Sequence, residues 1–336
     1  MAKNKKILLA HGSGGRLSHE LVQKTLAPRF ANRILDKMDD AAVFDLSGRL
    51  AFTTDSYVVS PIFFPGGDIG KLAVCGTVND LAMSGATPLY ISLSLIIEEG
   101  LSLDELERIA DSIQRAATEA GVKVVAGDTK VVNQGSADRL FINTSGIGII
   151  PEGVSISGSR AAAGDKVILS GSIGDHGMAV MSQRQGLRFQ MPIESDCAPL
   201  NKLVADILAV SKSIHSLRDP TRGGLATTLN EIAAQSAVGI NLQEDKIPVR
   251  EPVRAACEFL GLDPLYVANE GKLVAIVPPE DAGAVLKAMR QNGYGKDSAI
   301  IGEVLGEHPG RVTMKTLLGA SRIVDMLSGE LLPRIC

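Results

Sequence analysis

Glycine-rich loops divide this chain of 336 residues into alternating strand and helix segments, and no other feature constrains its fold as strongly. The loops cover residues 11–15, 65–70, 170–177 and 221–224. Short β-branched segments between them predict strands, and longer segments with apolar residues at helical spacing predict helices. The clearest predicted helix is 102–120, because Ser102 can cap its start and Gly121 can end it. The alternation predicts an α/β fold of the α+β type.

The predicted elements fall into two series. The predicted strands are 41–44, 50–59, 91–97, 122–126, 140–150, 166–169, 239–242, 272–277 and 299–304. The predicted helices are 71–84, 102–120, 178–185, 200–210, 224–236, 252–260 and 279–292. A small-residue, loop-like stretch at 151–164 separates the series. We therefore expect a glycine-rich arm at 1–37, domains at 38–155 and 156–308, and a tail of weak structure at 309–336.

Charge and cysteine usage exclude several classes of function. The formal net charge is −4 and aromatic residues make up 4% of the chain, without tryptophan, which argues against nucleic acid as a partner. No apolar run approaches the roughly 18 residues that a membrane span needs. The start has too short an apolar stretch for a signal peptide. Four widely spaced cysteines predict reduced thiols, neither zinc ligands nor disulfides, and a cytoplasmic location.

Acidic residues recur where predicted strands meet glycine-rich loops. They are Asp39, Asp40, Asp55, Asp80, Asp128 and Asp219. Taken singly, each is better explained by turn or cap chemistry, since aspartate favours both. Taken together, they favour a site for Mg²⁺, which prefers oxygen ligands and bridges to substrate phosphates.

Two glycine-rich loops are candidates for phosphate binding. Residues 170–177 follow a predicted strand and open a predicted helix, so backbone N–H groups around Gly174 and Gly177 could cradle phosphate. The loop matches neither the P-loop nor the dinucleotide-binding pattern. Residues 11–15 could close over a nucleotide as a lid or form a flexible arm, and the spacing does not separate these alternatives.

Lys130 and Glu270 stand in segments with few other charges. Such a pair can form a buried ion pair, which is the commoner outcome, or can shift each other's pKa far enough to transfer protons. His11 and His176 are the histidines found in glycine-rich loops, and they are candidates to assist.

Cys336 is the last residue of the sequence and its sharpest feature. A thiol at the end of a tail stiffened by Pro333 can enter a pocket or be presented to another protein. The adjacent α-carboxylate should raise the pKa of this thiol, and Arg334 should partly offset that effect. The alternative is an incidental exposed cysteine, which is normally a liability, so a functional thiol is favoured.

These motifs together resemble the HypE family of hydrogenase maturation factors, within the superfamily of aminoimidazole ribonucleotide synthetase, selenophosphate synthetase and thiamine-monophosphate kinase. The resemblance spans essentially the whole chain. The segments that carry it are 11–15, 55–57, 63–67, 76–80, 127–132, 174–177, 218–224, 269–272 and 333–336. The final tetrapeptide, Pro-Arg-Ile-Cys, is the most specific, because the sister families lack it.

The resemblance implies an aminoimidazole ribonucleotide synthetase-like two-domain fold with a mobile C-terminal tail and ATP between the domains. It implies a homodimer that pairs through the N-terminal sheets. The carbamoyltransferase HypF would place a carbamoyl group on Cys336, and this chain would use ATP to dehydrate that group to a thiocyanate. The cyano group would then pass to iron on the HypC–HypD complex, as a ligand of the [NiFe]-hydrogenase active site.

Residue roles follow as expectations from the motifs and the implied chemistry. The expected metal ligands are Asp40, Asp80, Asp219 and Asp39. The expected nucleotide-binding residues are Gly12, Ser13, Gly14, Gly15, Asp55, Asn79, Asp128, Gly174 and Gly177. The expected catalytic residues are Cys336, Glu270, Lys130 and His176. Two alternatives are a sister kinase or synthetase acting on a small free molecule, and a non-catalytic carrier of a modified cysteine.

Overall fold

The computed structural model describes residues 6–187, 191–327, 329, 332 and 334–336, and two β-sheets organise them. The helices are α1 (Arg16–Leu21), α2 (Ala27–Phe30), α3 (Ile69–Met83), α4 (Leu103–Ala120), α5 (Asp175–Gln185), α6 (Asn201–Val210), α7 (Gly224–Ser236), α8 (Glu251–Leu260) and α9 (Pro279–Gln291). The strands are β1 (Arg49–Tyr57), β2 (Phe63–Phe64), β3 (Gly67–Asp68), β4 (Thr87–Glu98), β5 (Lys123–Val132), β6 (Leu140–Ile150), β7 (Lys166–Leu169), β8 (Ser216–Arg218), β9 (Gly239–Gln243), β10 (Val274–Val277), β11 (Ala299–Leu305), β12 (Val312–Lys315) and β13 (Ser321–Ile323). The expected mixture of helices and strands is confirmed.

The first sheet has the strand order β1–β6–β4–β5, in which only β4 and β5 run parallel. Helices α3 and α4 contact each other, and α3 packs on this sheet. Asp68 caps the start of helix α3, because its carboxylate accepts hydrogen bonds from the N–H groups of Gly70 and Lys71 at 2.8 and 3.0 Å. This cap satisfies amide groups that the first helical turn leaves free. Nearly every residue of α3 is buried.

The opposite face of the first sheet exposes large apolar side chains. Leu50, Phe52 and Ile96 are 45%, 71% and 42% exposed. Alternate residues of a strand point to opposite faces, and Thr53 and Asp55 lie on the α3 side. The outward face of β1 therefore carries Leu50 and Phe52.

The second sheet has the order β13–β12–β9–β11–β7–β10–β8 and carries helices on both faces. Val167 and Leu169 pack in one core with residues of α7, and Ile168 packs in another with residues of α6 and α9. Strand β7 is therefore buried on both sides, which explains its continuous apolar sequence. None of the helices in the described ranges is long and apolar enough to cross a bilayer.

Two sequence predictions about local structure are wrong. Residues 41–44 form no strand, and Val43 is 72% exposed, so no neighbouring strand satisfies this short β-prone segment. The chain after residue 308 is not uniformly weak, because β12 pairs in parallel with β9 and β13 pairs with β12. The expected glycine-rich arm, for which no secondary structure was predicted, contains helices α1 and α2, joined by a widened helical turn. Pro333 lies outside the described residues, so its stiffening effect stays a prediction.

Candidate active site

The last three residues of the chain run beside the segment that follows β1. The N–H of Val58 donates to the carbonyl of Cys336 at 3.1 Å, and the N–H of Ser60 donates to the carbonyl of Arg334 at 3.2 Å. The guanidinium of Arg334 donates to the carbonyl of Val58 at 3.1 Å. Ile335 is buried in the core of the first sheet. The tail is thus docked by backbone pairing and by one apolar anchor.

Two side chains of α5 hold the docked tail. Arg184 donates to the carbonyl oxygens of Ser60 and Arg334 at 2.8 and 2.7 Å. His176 bonds the carbonyl of Ile335 through Nε2 and the hydroxyl of Ser195 through Nδ1, both at 2.8 Å. Burial lowers the pKa of His176, so the neutral ring donates from Nε2 and accepts at Nδ1. His176 binds the tail's backbone and does not line the cavity around Cys336.

This docking places Cys336 in a cavity of about 250 Å³. Its other lining residues come from β1, from α3 and from two loops of the second half of the chain. They are Thr54, Asp55, Tyr57, Gly76, Asp80, Asp219, Thr221, Arg222 and Glu270. The cavity therefore brings the terminal thiol together with four carboxyl groups that are distant from it in the sequence.

The cavity disfavours the thiolate form of Cys336. Burial is the largest cause of the raised pKa of this thiol, followed by the negative charge of Glu270. Arg222 opposes the shift, whereas Arg334 pairs with Asp138. The sequence-based expectation that Arg334 offsets the thiol pKa is therefore wrong, because the side chain of Arg334 points away from the cavity. The docked thiol is protonated at neutral pH.

The carboxyl groups raise one another's pKa. Burial, followed by the charge of Asp80, raises the pKa of Asp219 to about 7. Burial also raises the pKa of Asp80, although Thr53 donates a hydrogen bond to it at 2.8 Å. The pKa of Glu270 lies well above its ordinary value, chiefly through burial. Oε1 of Glu270 is buried without a hydrogen-bond partner among the described residues.

These carboxylates have the chemistry of Mg²⁺ ligands but do not form a complete cage. Across the described ranges, no three His, Cys, Asp or Glu side chains are grouped closely enough to hold a metal ion. Mg²⁺ usually takes one or two protein carboxylates and completes its shell with water and substrate phosphates. The half-buried, mutually repelling Asp80 and Asp219 fit that pattern, because a divalent cation would relieve their repulsion.

Lys130 does not lie beside Glu270. It pairs with Asp128 on β5 at 3.2 Å, and both side chains are exposed. The pairing of β1, β6, β4 and β5 aligns Asp55 with Gly127 across the sheet. Neighbouring residues of a strand point to opposite faces, so Asp128 points to the face opposite that of Asp55 and lies at the other edge of the sheet. Asp128 and Lys130 instead line a second cavity of about 330 Å³, together with His11, Gly12 and Gly14. The expected Lys130–Glu270 pair is absent within one chain.

Asp39 and Asp40 are not brought to the carboxylate cluster. Both are exposed, in an irregular segment between helical turns and β1, and neither lines the cavity around Cys336. The expectation that they share a site with Asp80 and Asp219 is corrected here. The aspartate that lines the cavity together with Asp80 and Asp219 is Asp55, which β1 carries directly to it.

Three expected nucleotide-binding residues have structural contacts instead. The side chain of Asn79 donates to the carbonyl of Ala198 at 3.1 Å and accepts from the N–H of Leu200 at 2.8 Å, which ties α3 to the second half of the chain. The N–H of Gly174 donates to Asn269, and that of Gly177 donates to the carbonyl of Ala268. A phosphate cradle needs free amides, so the expectation of an open cradle there is wrong.

Sequence reasoning missed Tyr57, Thr221 and Arg222 as cavity residues. All three lie in segments that carried the family resemblance, at 55–57 and 218–224. Their place in these segments was the sequence signal that could have identified them as cavity residues. Arg184 was missed as well. It lies in the last turn of α5, and no local pattern distinguishes it from a surface arginine.

Comparisons with known proteins agree with this architecture. Residues 38–150 match the family model of the AIR synthase related protein N-terminal domain, and residues 162–315 match the model of the C-terminal domain. The chain is 55% identical over 335 residues to carbamoyl dehydratase HypE of Azotobacter vinelandii, covering 99% of this chain and 98% of that protein. The chain belongs to the HypE family of carbamoyl dehydratases.

Solved HypE structures have the same fold. A crystal structure of the hydrogenase maturation protein HypE in complex with ATP is 54% identical, with a TM-score of 0.95 over 98% of this chain and 99% of that chain. HypE in a crystal structure of the HypE–HypF complex is 53% identical, with a TM-score of 0.81 over 91% of this chain and 99% of that chain. The two-domain fold inferred from the motifs is confirmed.

Proposed function

We propose that this chain dehydrates an S-carbamoyl group on its own Cys336 to a thiocyanate and consumes ATP. The observation that carries the proposal is the enclosure of the Cys336 thiol in one cavity with Asp55, Asp80, Asp219 and Glu270. The wider role is hydrogenase maturation, as in the HypE relatives. A thiol inside a cluster of carboxyl groups suits a reaction on a group that the thiol carries.

The chemistry accounts for the need for ATP. A carbamoyl oxygen is a poor leaving group, and its attack on the γ-phosphorus of ATP expels ADP and makes that oxygen part of a phosphate ester. Removal of two protons from nitrogen and cleavage of the carbon–oxygen bond then leave the nitrile and inorganic phosphate. An enclosed cavity protects the phosphorylated intermediate from water.

Glu270 is our candidate for the proton acceptor. Its raised pKa makes its carboxylate a stronger base than an ordinary glutamate. Lys130 is too remote within the chain to assist, and His176 acts on the tail. Asp80 and Asp219, supported by Asp55, would hold Mg²⁺. The ion would neutralise phosphate charge when bound.

ATP binding is proposed from the ATP complex of the HypE relative. Gly12, Ser13, Gly14, Gly15 and Asp128 remain our candidates for nucleotide contacts, at the second cavity near the β5 edge. Asp128 and Asp55 lie at opposite edges and on opposite faces of the sheet, so within a single chain they line separate cavities.

That separation supports a homodimer, in which a second copy could complete the nucleotide site. The exposed apolar face around Leu50, Phe52 and Ile96 is a suitable dimer surface, because large apolar patches mark interaction sites. HypF is proposed as the carbamoyl donor from the HypE–HypF complex of the relative. The HypC–HypD complex is proposed as the cyanide acceptor, and the cytoplasm as the location.

The decisive experiment follows the mass of the C-terminal peptide. The full chain is incubated with HypF and carbamoyl phosphate, then with Mg–ATP, and the Cys336→Ala variant serves as control. We expect a carbamoyl adduct on Cys336 that loses one water only after Mg–ATP is added. An adduct that never loses water would indicate a carrier. No adduct would favour a kinase or synthetase acting on a free molecule.

A further inference from the structure

The hydroxyl of Tyr57 is a buried polar group that accepts no hydrogen bond from the described residues. Tyr57 ends β1 and is 1% exposed. The neighbouring hydroxyl of Thr77 lies 2.5 Å from that of Thr144, which in turn donates to a backbone carbonyl. The proton of Thr77 is thereby directed to Thr144 and away from Tyr57. The oxygen of Thr77 can still accept from the Tyr57 hydroxyl, so what remains unmatched is the Tyr57 oxygen, a buried acceptor that calls for a ligand with a donor group.

Space for this hydroxyl depends on a glycine. A Cβ atom at Gly76 would lie 2.2 Å from Oη of Tyr57, which no side chain could occupy without displacing the ring. Tyr57 and Gly76 both line the cavity that contains Cys336. The same cavity holds another unpaired atom, Oε1 of Glu270. Tyr57 and Glu270 therefore each present an unpaired acceptor in a cavity that the terminal thiol also lines.

A carbamoyl group on Cys336 matches these two atoms in its hydrogen-bonding capacity. It is planar and offers one carbonyl acceptor and two N–H donors. Building on the proposed function, we infer that the Tyr57 hydroxyl accepts a hydrogen bond from the carbamoyl nitrogen of modified Cys336 and holds the group in one orientation. The second N–H is then left for Glu270, and the oxygen is left for the γ-phosphoryl group. Tyr57 is thus a substrate-binding residue for the dehydration.

The neutral phenol suits this role. Burial, followed by the negative charge of Asp55, raises the pKa of Tyr57. The hydroxyl therefore keeps its proton and also keeps lone pairs that can accept from an amide. A phenylalanine would fill the same space and remove the oxygen that accepts this hydrogen bond.

The test is single-turnover dehydration by the full-length Tyr57→Phe variant, carbamoylated by HypF and carbamoyl phosphate and then mixed with Mg–ATP. We expect dehydration about tenfold slower than wild type, the usual size of one lost hydrogen bond. Carbamoylation and the Kd for ATP should be unchanged. A poorly oriented carbamoyl group should also let water take the phosphoryl group, so phosphate released per thiocyanate should rise above one.

Tyr294→Phe is the matched control, because it removes the same atom at the surface, where the hydroxyl bonds Glu119. It should dehydrate like wild type. A thermal-unfolding series separates binding from a structural role. Before carbamoylation, Tyr57→Phe should melt at or above the wild-type temperature, and carbamoylation should raise the melting temperature of wild type more than that of the variant.

Two results would overturn the inference: wild-type rate and coupling in Tyr57→Phe, or a variant that is destabilised before carbamoylation. If the wild-type chain itself retains its carbamoyl group in the presence of Mg–ATP, the proposed function fails. The difference in melting shift on carbamoylation would still decide whether the Tyr57 hydroxyl bonds the carbamoyl group.

Discussion

Nε2 of His176 lies 2.8 Å from the carbonyl oxygen of Ile335. This buried hydrogen bond joins α5 to the C-terminal tail, and the adjacent Cys336 thereby enters the cavity of carboxyl groups. A tail that must meet a carbamoyl donor outside the cavity and react inside it needs a docked state that is stable but breakable. A small number of hydrogen bonds and one apolar anchor meet that need.

Replacement of His176 by alanine should increase release of the tail. One buried hydrogen bond contributes about 1 kcal/mol, so its loss should raise the undocked fraction roughly fivefold. The measurement is the rate at which a thiol reagent labels Cys336, followed by peptide mass. His215→Ala is a matched control, because His215 bonds Asp165 away from the tail. Equal labelling rates in wild type and His176→Ala would contradict the role of this hydrogen bond.

Glu270→Gln should stop dehydration while leaving carbamoylation of Cys336 intact. The amide has nearly the same shape but cannot accept a proton. In the wild type, the raised pKa of Glu270 means that its basic form increases with pH, so the dehydration rate should rise from pH 6 to pH 8. We expect at least a hundredfold loss in the variant, measured as single-turnover thiocyanate formation. A variant with the wild-type rate would exclude Glu270 as the base.

Asp80→Asn should weaken Mg²⁺-dependent ATP turnover by two orders of magnitude or more, because it removes an anionic ligand from the cluster. The matched control is the double variant Asp39→Asn with Asp40→Asn, which changes two exposed carboxylates outside the cavity. It should turn over ATP like wild type. If the double variant lost activity and Asp80→Asn kept it, the assignment of the metal site to this cavity would be wrong.

Asp219→Asn should stabilise the protein at alkaline pH while it abolishes activity. The folded-state pKa of about 7 lies above the unfolded value of about 3.9, so the native state binds the proton more tightly. The stability of the wild type therefore falls as pH rises through this interval. The neutral asparagine avoids that loss, which we expect to be on the order of 1 kcal/mol at pH 8 after allowance for partial exposure. Urea unfolding at pH 5 and pH 8, without Mg²⁺, tests this sign.

Phe52→Asp should weaken the proposed homodimer. Phe52 is 71% exposed on the face of β1 away from α3, so aspartate there should not disturb the core. Sedimentation at several concentrations should show at least tenfold weaker association than wild type. Leu318→Asp, on the loop after β12, is a control with an even more exposed leucine. Equal weakening by both substitutions would argue against the β1 face as the interface.

Local sequence determined most of the elements in this protein. Glycines and helical periodicity predicted the bounds of α4 and α7 to within a residue or so. Gly121 ends α4 and Gly223 precedes the first residue of α7, and such helix ends depend on the local sequence. The motifs also pointed to Cys336, Asp80, Asp219 and Glu270. These residues carry a reactive or charged side chain at a loop, at an element boundary or at the end of the sequence, and such positions can be recognised without the structure.

Only the tertiary structure decided which of these residues meet. Asp39 and Asp40 resemble Asp80 in sequence, but β1 brings Asp55 to the cavity and the irregular segment before β1 leaves the other two in solvent. Lys130 is separated from Glu270 because the strand order puts β1 and β5 at opposite edges of the sheet. Strand order and side-chain direction depend on long-range pairing, which local pattern does not encode. Composition and motif thus determined the chemistry available, and sheet topology decided where it is used.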